Sequence, residues 1–357
     1  MSLSLTKIHN PEPGWYSGDF HAHTLYSDGV LTPTELAAFA HESGLDFFAM
    51  TDHNTAGSYD HFGDTGDLVV IPGVEVTLDN LHYNAFGLKG DLDWAQAILN
   101  GPIKIKHPDL PEGVNRWLGK AARQHCLNSL NHPLLEPWHC QMLDFDISQL
   151  DCLEIWNDPS WPTSVTANVE AVRMWTDWLN AGHRKTAIGG SDFHRPQPKP
   201  GQDKPAERIG VPRTWVDAQN LSGAAILEAL RQRKAYVSMG PKMDFRMQFG
   251  DHYYTIGQDA GPLEGAIRFF CAVSDLDEPF LVKLIQDGEE RYMLGGSGPS
   301  LKFEFPFVAD PSVSTWYRLD VTRMDGEILA ISNPIFLGPA PEPGSSDFGD
   351  YVNGGPG

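Results

Sequence analysis

Between residues 15 and 194 the chain repeats one pattern: a short apolar run bears a histidine or an acid near its end, and an amphipathic segment follows. The runs are 15–23, 46–53, 68–77, 82–88, 126–132, 152–157 and 185–194. Placed on them are His21, His23, His53, Glu75, His82, His132, Asp192 and His194, with Asp28 in the turn Tyr26-Ser27-Asp28-Gly29 after the first run. A strand points successive side chains to opposite faces, so His21 and His23 share one face, as do Asp192 and His194. Strands alternating with helical segments predict a β/α architecture over about 1–240. Folds of this kind gather their chemistry at the carboxyl ends of the strands. That is where these motifs fall.

The helices expected between the strands are 33–43, 114–125, 165–181 and 224–234. Thr32-Pro33-Thr34-Glu35 is a capping box with proline at the first helical position, and Gly44 closes that helix. An eighth run, 213–218, carries no candidate ligand. After Gly240 the pattern changes to short β-type runs at 245–249, 266–273, 280–286, 301–307, 317–323 and 328–331. Turns such as Asp287-Gly288 and Asp325-Gly326 separate them. These predict a smaller all-β, sandwich-like domain over 241–338. The stretch 339–357, rich in Pro, Gly and Ser, is expected to be a flexible tail. The loop 196–205, with four prolines, directly follows the last ligand motif and is either a rim over the site or plain surface.

With 41% hydrophobic residues the chain can bury a large core. A formal charge of -21 argues against a nucleic-acid or anionic-membrane partner, both of which call for basic surface. A small-molecule substrate is expected, an anionic one included, because bound cations reverse the potential locally. Cys126, Cys140, Cys152 and Cys271 show no Cys-x-x-Cys spacing and suggest no disulfide framework. No apolar run is long enough to span a membrane. A reducing cytoplasm is the expected location.

Imidazoles and carboxylates converging on one mouth suit zinc, manganese or iron, ions that make water a nucleophile at neutral pH. Glu75 ends the run Val69-Val70-Ile71-Pro72-Gly73-Val74. A carboxylate buried there is costly unless a cation accompanies it. Asp52 is expected to orient its neighbour His53. Glu154 and Asn157 end another run and face the same mouth, and Asn157 and Arg195 are the candidate substrate contacts. Trp138, Trp156 and Trp161 lie near ligand-bearing segments and would give an apolar rim. No Gly-x-Ser-x-Gly motif is present, which disfavours a serine hydrolase.

The order His-x-His, Asp, Asp-His, Glu, His, His, Asp-x-His resembles the motif series of the PHP family, the polymerase-and-histidinol-phosphatase metallohydrolases, over about residues 15–240. Asp52-His53-Asn54-Thr55, Glu154-Ile155-Trp156-Asn157, Gly189-Gly190-Ser191-Asp192, the segment 209–215 and Asn333-Pro334-Ile335 resemble its carbaryl-hydrolase branch. The resemblance implies a distorted seven-stranded β/α barrel binding two or three divalent metal ions. His21, His23, Glu75 and Asp192 would hold the first ion. Glu75 would bridge to a second held by His82 and His132, and Asp28, His53 and His194 would hold a third. The implied activity is hydrolysis of a small phosphoester by a hydroxide bridging two cations, with Glu75, Asp192 and His194 as catalytic positions. The closer branch implies a carboxylic-ester or carbamate hydrolase instead. A metal-stabilised binding protein without catalysis is the third reading.

Overall fold

Thr32 opens the first helix as its capping box requires: its hydroxyl accepts from the Glu35 amide, and the Glu35 carboxylate accepts from the Thr32 amide. The computed structural model describes residues 3–88, 113–199, 201 and 204–352. In chain order the first part comprises β1 (Gly14–Asp19), α1 (Pro33–Glu42), β2 (Phe47–Met50), β3 (Val69–Thr77), β4 (His82–Phe86), α2 (Val114–Arg123) and β5 (Leu127–Leu130). Then come β6 (Cys152–Asn157), α3 (Ser164–Asn180), β7 (Thr186–Gly190), β8 (Arg213–Ala218), α4 (Gly223–Arg231) and β9 (Ala235–Ser238). Strands β2 to β7 are buried throughout, so their apolar runs show little alternation.

The strands lie in the order β9-β8-β1-β2-β3-β4-β5-β6-β7. β1, β2 and β3 are parallel, β4 is antiparallel to both β3 and β5, and β5, β6 and β7 are parallel again. The expected seven-stranded barrel is not found as a closed sheet among the described residues. β8 occupies the free edge of β1 from Gly14 to Gly18, so β7 has no edge there to pair with. Among the described residues, the only β-type backbone pairing between the loops beyond β1 and β7 is an isolated bridge between Ala22 and Phe193.

Side chains join β7 to β8 and β9 instead. Thr214 Oγ1 accepts from Gly189 N and donates to Gly189 O, both at 2.9 Å. The fully buried Asn333 accepts from Ala187 N at 2.8 Å and donates to Ala187 O and Ala235 O, each at 2.9 Å. Asn333→Ala removes all three bonds at a fully buried site, and is expected to destabilise the protein by about 3 kcal/mol in urea unfolding.

The second part contains β10 (Lys242–Phe249), β11 (His252–Thr255), β12 (Gly265–Ser274), β13 (Phe280–Gln286), β14 (Glu289–Gly296), β15 (Ser300–Ala309), β16 (Thr315–Arg323), β17 (Ile328–Ser332) and β18 (Ile335–Leu337). One sheet runs β11-β10-β12-β15. The other, β14-β13-β16-β17, continues into β9, so the two parts share a sheet. Phe245, Phe269 and Cys271 from one sheet pack with Val282, Leu284 and Leu319 from the other. The flexible-tail expectation needs correction as far as residue 352. Phe348 and Tyr351 are buried in the main core, and His183 Nε2 lies 2.8 Å from Ser345 O. A short helix, α5 (Gly349–Val352), ends the described chain; the remaining tail residues, 353–357, lie outside the described residues. None of the four cysteines is in a disulfide, and no described helix is long and apolar enough to cross a membrane.

Candidate metal centre

Glu75 projects from the buried strand β3 into a ring of five imidazoles. Its Oε1 lies 3.3 Å from His21 Nε2, 3.2 Å from His82 Nδ1 and 3.3 Å from His132 Nε2. Its Oε2 lies 3.6 Å from His23 Nε2 and 2.6 Å from His53 Nδ1. Asp192 Oδ1 faces His21 Nε2 at 3.3 Å, His23 Nε2 at 3.1 Å and His194 Nδ1 at 3.6 Å. Asp28 Oδ1 faces His194 Nε2 at 3.1 Å and His53 Nε2 at 3.5 Å. All nine candidate residues therefore meet in one connected cluster.

Four groups of possible ligand atoms, each within 4.8 Å of one another, overlap in this cluster: His23, Asp28, His53 and His194; His21, His23 and Asp192; His21, His132 and Glu154; and Glu75, His82 and His132. These groups differ from the sets implied by the resemblance: His23 also reaches the group around Asp28, Glu75 groups with His82 and His132 and not with Asp192, and Glu154 joins His21 and His132. Buried atoms here lack hydrogen-bond partners, among them His21 Nε2, His23 Nε2, Glu75 Oε2, His82 Nδ1 and Asp192 Oδ1. Orphaned buried polar atoms are costly. Two donors about 2.1 Å from a tetrahedral ion stand roughly 3.4 Å apart, close to the spacing between these atoms. The donor set fits divalent cations.

Other contacts aim these side chains. Glu154 Oε1 lies 3.0 Å from His21 Nδ1, which places a proton on Nδ1 and turns Nε2 toward Glu75 and Asp192. Glu154 Oε2 accepts from His132 N at 2.8 Å and from Asn157 Nδ2 at 3.0 Å. Glu154 and Asn157 are three apart and would ordinarily point oppositely. A register shift between Glu154 and Trp156 in the β6–β7 ladder turns both to the mouth. His194 Nδ1 lies 2.6 Å from Asp192 O. Asn54, His132 and Asp192 hold φ of 50°, 27° and 50°, left-handed values that Asn, His and Asp adopt more readily than other side-chain-bearing residues. A Cβ on Gly190 would stand 2.6 Å from His21 Cβ and 2.8 Å from Glu154 Oε1, so the motif's second glycine makes room for the His21–Glu154 pair.

The electrostatics are those of an anionic centre under imidazoles. Burial pushes the Glu75 and Asp192 carboxyls up, but the surrounding histidines hold both well below the usual carboxylate range. Burial pulls His21 down, yet Asp192, Glu154 and Glu75 raise it well above an ordinary imidazole. His194 is likewise raised to about 9 by Asp192 and Asp28. His23, desolvated and beside His194 and His53, drops to about 4.

The cluster opens into a cavity of about 160 Å³ walled by Leu135, Trp138 and Trp161, with Asn157, Asp158, Arg195, Lys199, Lys204 and Glu207 among its polar residues. The Trp138 and Trp161 rings meet edge to face at 4.9 Å. Arg195 donates to Asp28 O at 3.2 Å. Lys199 and Lys204 place the loop 196–205 at the rim; its residues 200, 202 and 203 lie outside the described residues.

Two expectations are corrected. Asp52 does not orient His53: it accepts from Thr24 N, Thr24 Oγ1 and Ser27 Oγ, fixing the turn that carries Asp28, while His53 Nδ1 faces Thr77 Oγ1 at 2.5 Å. Trp156 is buried in the core and does not line the cavity, because the register shift sends it to the opposite face. Two buried acids escaped notice. Asp19 accepts from His21 N, Ser191 N and Oγ, and Gly210 N, tying the His-x-His segment to the Asp-x-His segment. Glu207 accepts from His194 N and Arg195 N. Position at a strand end marked Asp19; nothing in the sequence marked Glu207.

Over 62 residues the chain is 39% identical to a 5'-3' exoribonuclease of Haemophilus influenzae, a match covering 16% of this chain and 23% of that protein. A two-domain protein from Bacteroides vulgatus containing a predicted PHP-like metal-dependent phosphoesterase matches 94% of this chain and 100% of its own, with TM-score 0.47 and 16% identity. An amidohydrolase from Chromobacterium violaceum with bound sulfate and no metal matches 52% of this chain and 89% of its own, with TM-score 0.36 and 18% identity. Residues 19–124, the segment that supplies His21, His23, Asp28, His53, Glu75 and His82, match the family model of the PHP domain.

Proposed function

We propose that this chain is a metal-dependent hydrolase acting as a phosphoesterase on a small phosphorylated substrate. The observation that carries the reading is the set of buried, unpartnered imidazole and carboxylate atoms around Glu75. The match of residues 19–124 to the PHP domain supports it, as does the short match to the 5'-3' exoribonuclease of Haemophilus influenzae. Two or three divalent ions, zinc, manganese or iron, held by His21, His23, Asp28, His53, Glu75, His82, His132, Asp192 and His194, would supply a nucleophilic water and neutralise charge on substrate oxygens.

The chain's own residues do the rest. Glu154 fixes the His21 tautomer, and Asn131 Nδ2 donates to Glu75 Oε1 at 3.0 Å, holding that carboxylate in place. Glu207 braces the backbone at His194 and Arg195. Arg195 and Asn157, which line the cavity, would bind substrate oxygens.

The apolar wall of Leu135, Trp138 and Trp161 favours a second reading, a carboxylic-ester or carbamate hydrolase. Paired assays on p-nitrophenyl phosphate and on a naphthyl ester and carbamate, with manganese or zinc, separate the two. Turnover of the phosphate is expected to exceed that of the others at least tenfold; the reverse order would install the second reading.

A further inference from the structure

One carboxylate in the cavity wall belongs neither to the expected ligand set nor to the groups bracing the backbone of the ligand segments. Asp28 and Asp192 belong to the ligand set. Glu207 is spent on the His194 and Arg195 amides and on Lys204 Nζ at 2.8 Å. Asp158 remains, one residue past the end of β6 and beside Asn157, with its side chain 11% exposed. Its Oδ1 accepts from Ser160 N at 3.0 Å and from Ser160 Oγ at 2.5 Å, which fixes the group's direction. Among the described residues the cation nearest Oδ2 is Lys204 Nζ at 3.8 Å, beyond hydrogen-bond distance. Oδ2 is therefore held in direction and accepts no hydrogen bond among the described residues, with the Lys204 ammonium as its ion-pair partner, on the wall of the cavity into which the cluster opens.

We infer that Asp158 is the general acid of this site, its Oδ2 delivering a proton to the leaving-group oxygen. The inference rests on the hydrolytic reading above. Water oxygen forms the new bond to phosphorus as the bond from phosphorus to the ester oxygen breaks, its electron pair staying on the ester oxygen. The Asp158 proton goes to that oxygen and releases a neutral alcohol. The carboxylate regains a proton released by the attacking water, so the sum is ester plus water giving alcohol plus phosphate. The environment suits an acid working near neutrality. Burial pushes the Asp158 carboxyl up to about 6; Ser160 and Lys204 pull it down, and Asp192 and Glu207 push it up. Lys204 is itself held by Glu207 and lies over the Trp161 ring, 5.4 Å from its centroid, so the loop after His194 is tied to the Asp158 turn.

The test compares the metal-loaded wild type with Asp158→Asn on phenyl phosphate, a poor leaving group, and p-nitrophenyl phosphate, a good one. A general acid matters in proportion to leaving-group basicity. Turnover of phenyl phosphate is expected to fall roughly 100-fold, while that of p-nitrophenyl phosphate falls only a few-fold. The alkaline limb of the wild-type kcat profile should vanish in the variant, with bound metal and melting temperature unchanged. Equal losses on both substrates, or an alkaline limb that persists, would overturn the assignment while leaving the phosphoesterase reading in place. A wild type inactive on both phosphates would remove that reading and this inference together.

Discussion

Replacing Glu75 by Gln is expected to remove at least one bound metal ion per chain and to lower hydrolysis roughly 1000-fold. Glu75 is fully buried, and its two oxygens lie within 3.6 Å of His21, His23, His53, His82 and His132. The amide has almost the same shape but carries no charge, so packing survives while the centre's main anion is lost. The defect should also appear without metal. His132 would lose the carboxylate that does most to raise it, and His21 would lose one of three, keeping Asp192 and Glu154. Breaking a buried ion pair from one side costs about 3–5 kcal/mol. Elemental analysis and thermal melting of the metal-free and loaded variant read the two effects separately. A variant with wild-type metal content and turnover would show that Glu75 is a core carboxylate with no part in the site.

The ligand cluster was legible because it depends on local rules. A His-x-His or Asp-x-His pair at a strand end shares a face whatever the rest of the chain does, and Glu75 at the end of six apolar or small residues was costly without a partner. What supports the cluster was less legible because it rests on non-local contacts. The orienting acid of His21 is Glu154, 133 residues away, and the face on which Asn157 lands depends on a register shift that no residue type announces. Asp52 misled for the same reason: adjacency to His53 suggested a partnership, while the fold brings Thr24 and Ser27 to it. Sheet closure is not found among the described residues because β8 claims the edge of β1, a competition visible only in the assembled sheet. The glycine pair, Thr214 and Asn333, read as signs of a family branch, prove to be the parts that make room for His21 and fasten β7 to β8 and β9.

Metal binding is expected to tighten steeply as pH rises from about 6.5 toward 9. In the metal-free chain three imidazoles of the cluster, His21, His132 and His194, are raised above the ordinary value, His194 to about 9. An imidazole raised on folding stabilises the fold fully below its unfolded value, and that contribution is lost as pH climbs through the folded value. A cation requires the ring neutral at the coordinating nitrogen, so it competes with the same proton. His23, already low at about 4, and the carboxylates of Glu75, Asp28 and Asp192, all held down, have none to give up near neutrality. Each proton expelled makes affinity rise up to about tenfold per pH unit, and with more than one raised imidazole the slope exceeds one. The metal-free protein should therefore weaken between pH 6.5 and 8.5 while the loaded protein holds, and the gap between their melting temperatures should widen. Calorimetric titrations with zinc at pH 7, in two buffers of different ionisation enthalpy, count the protons directly. Release of none, with a melting gap that does not change with pH, would place the metal somewhere other than among these histidines.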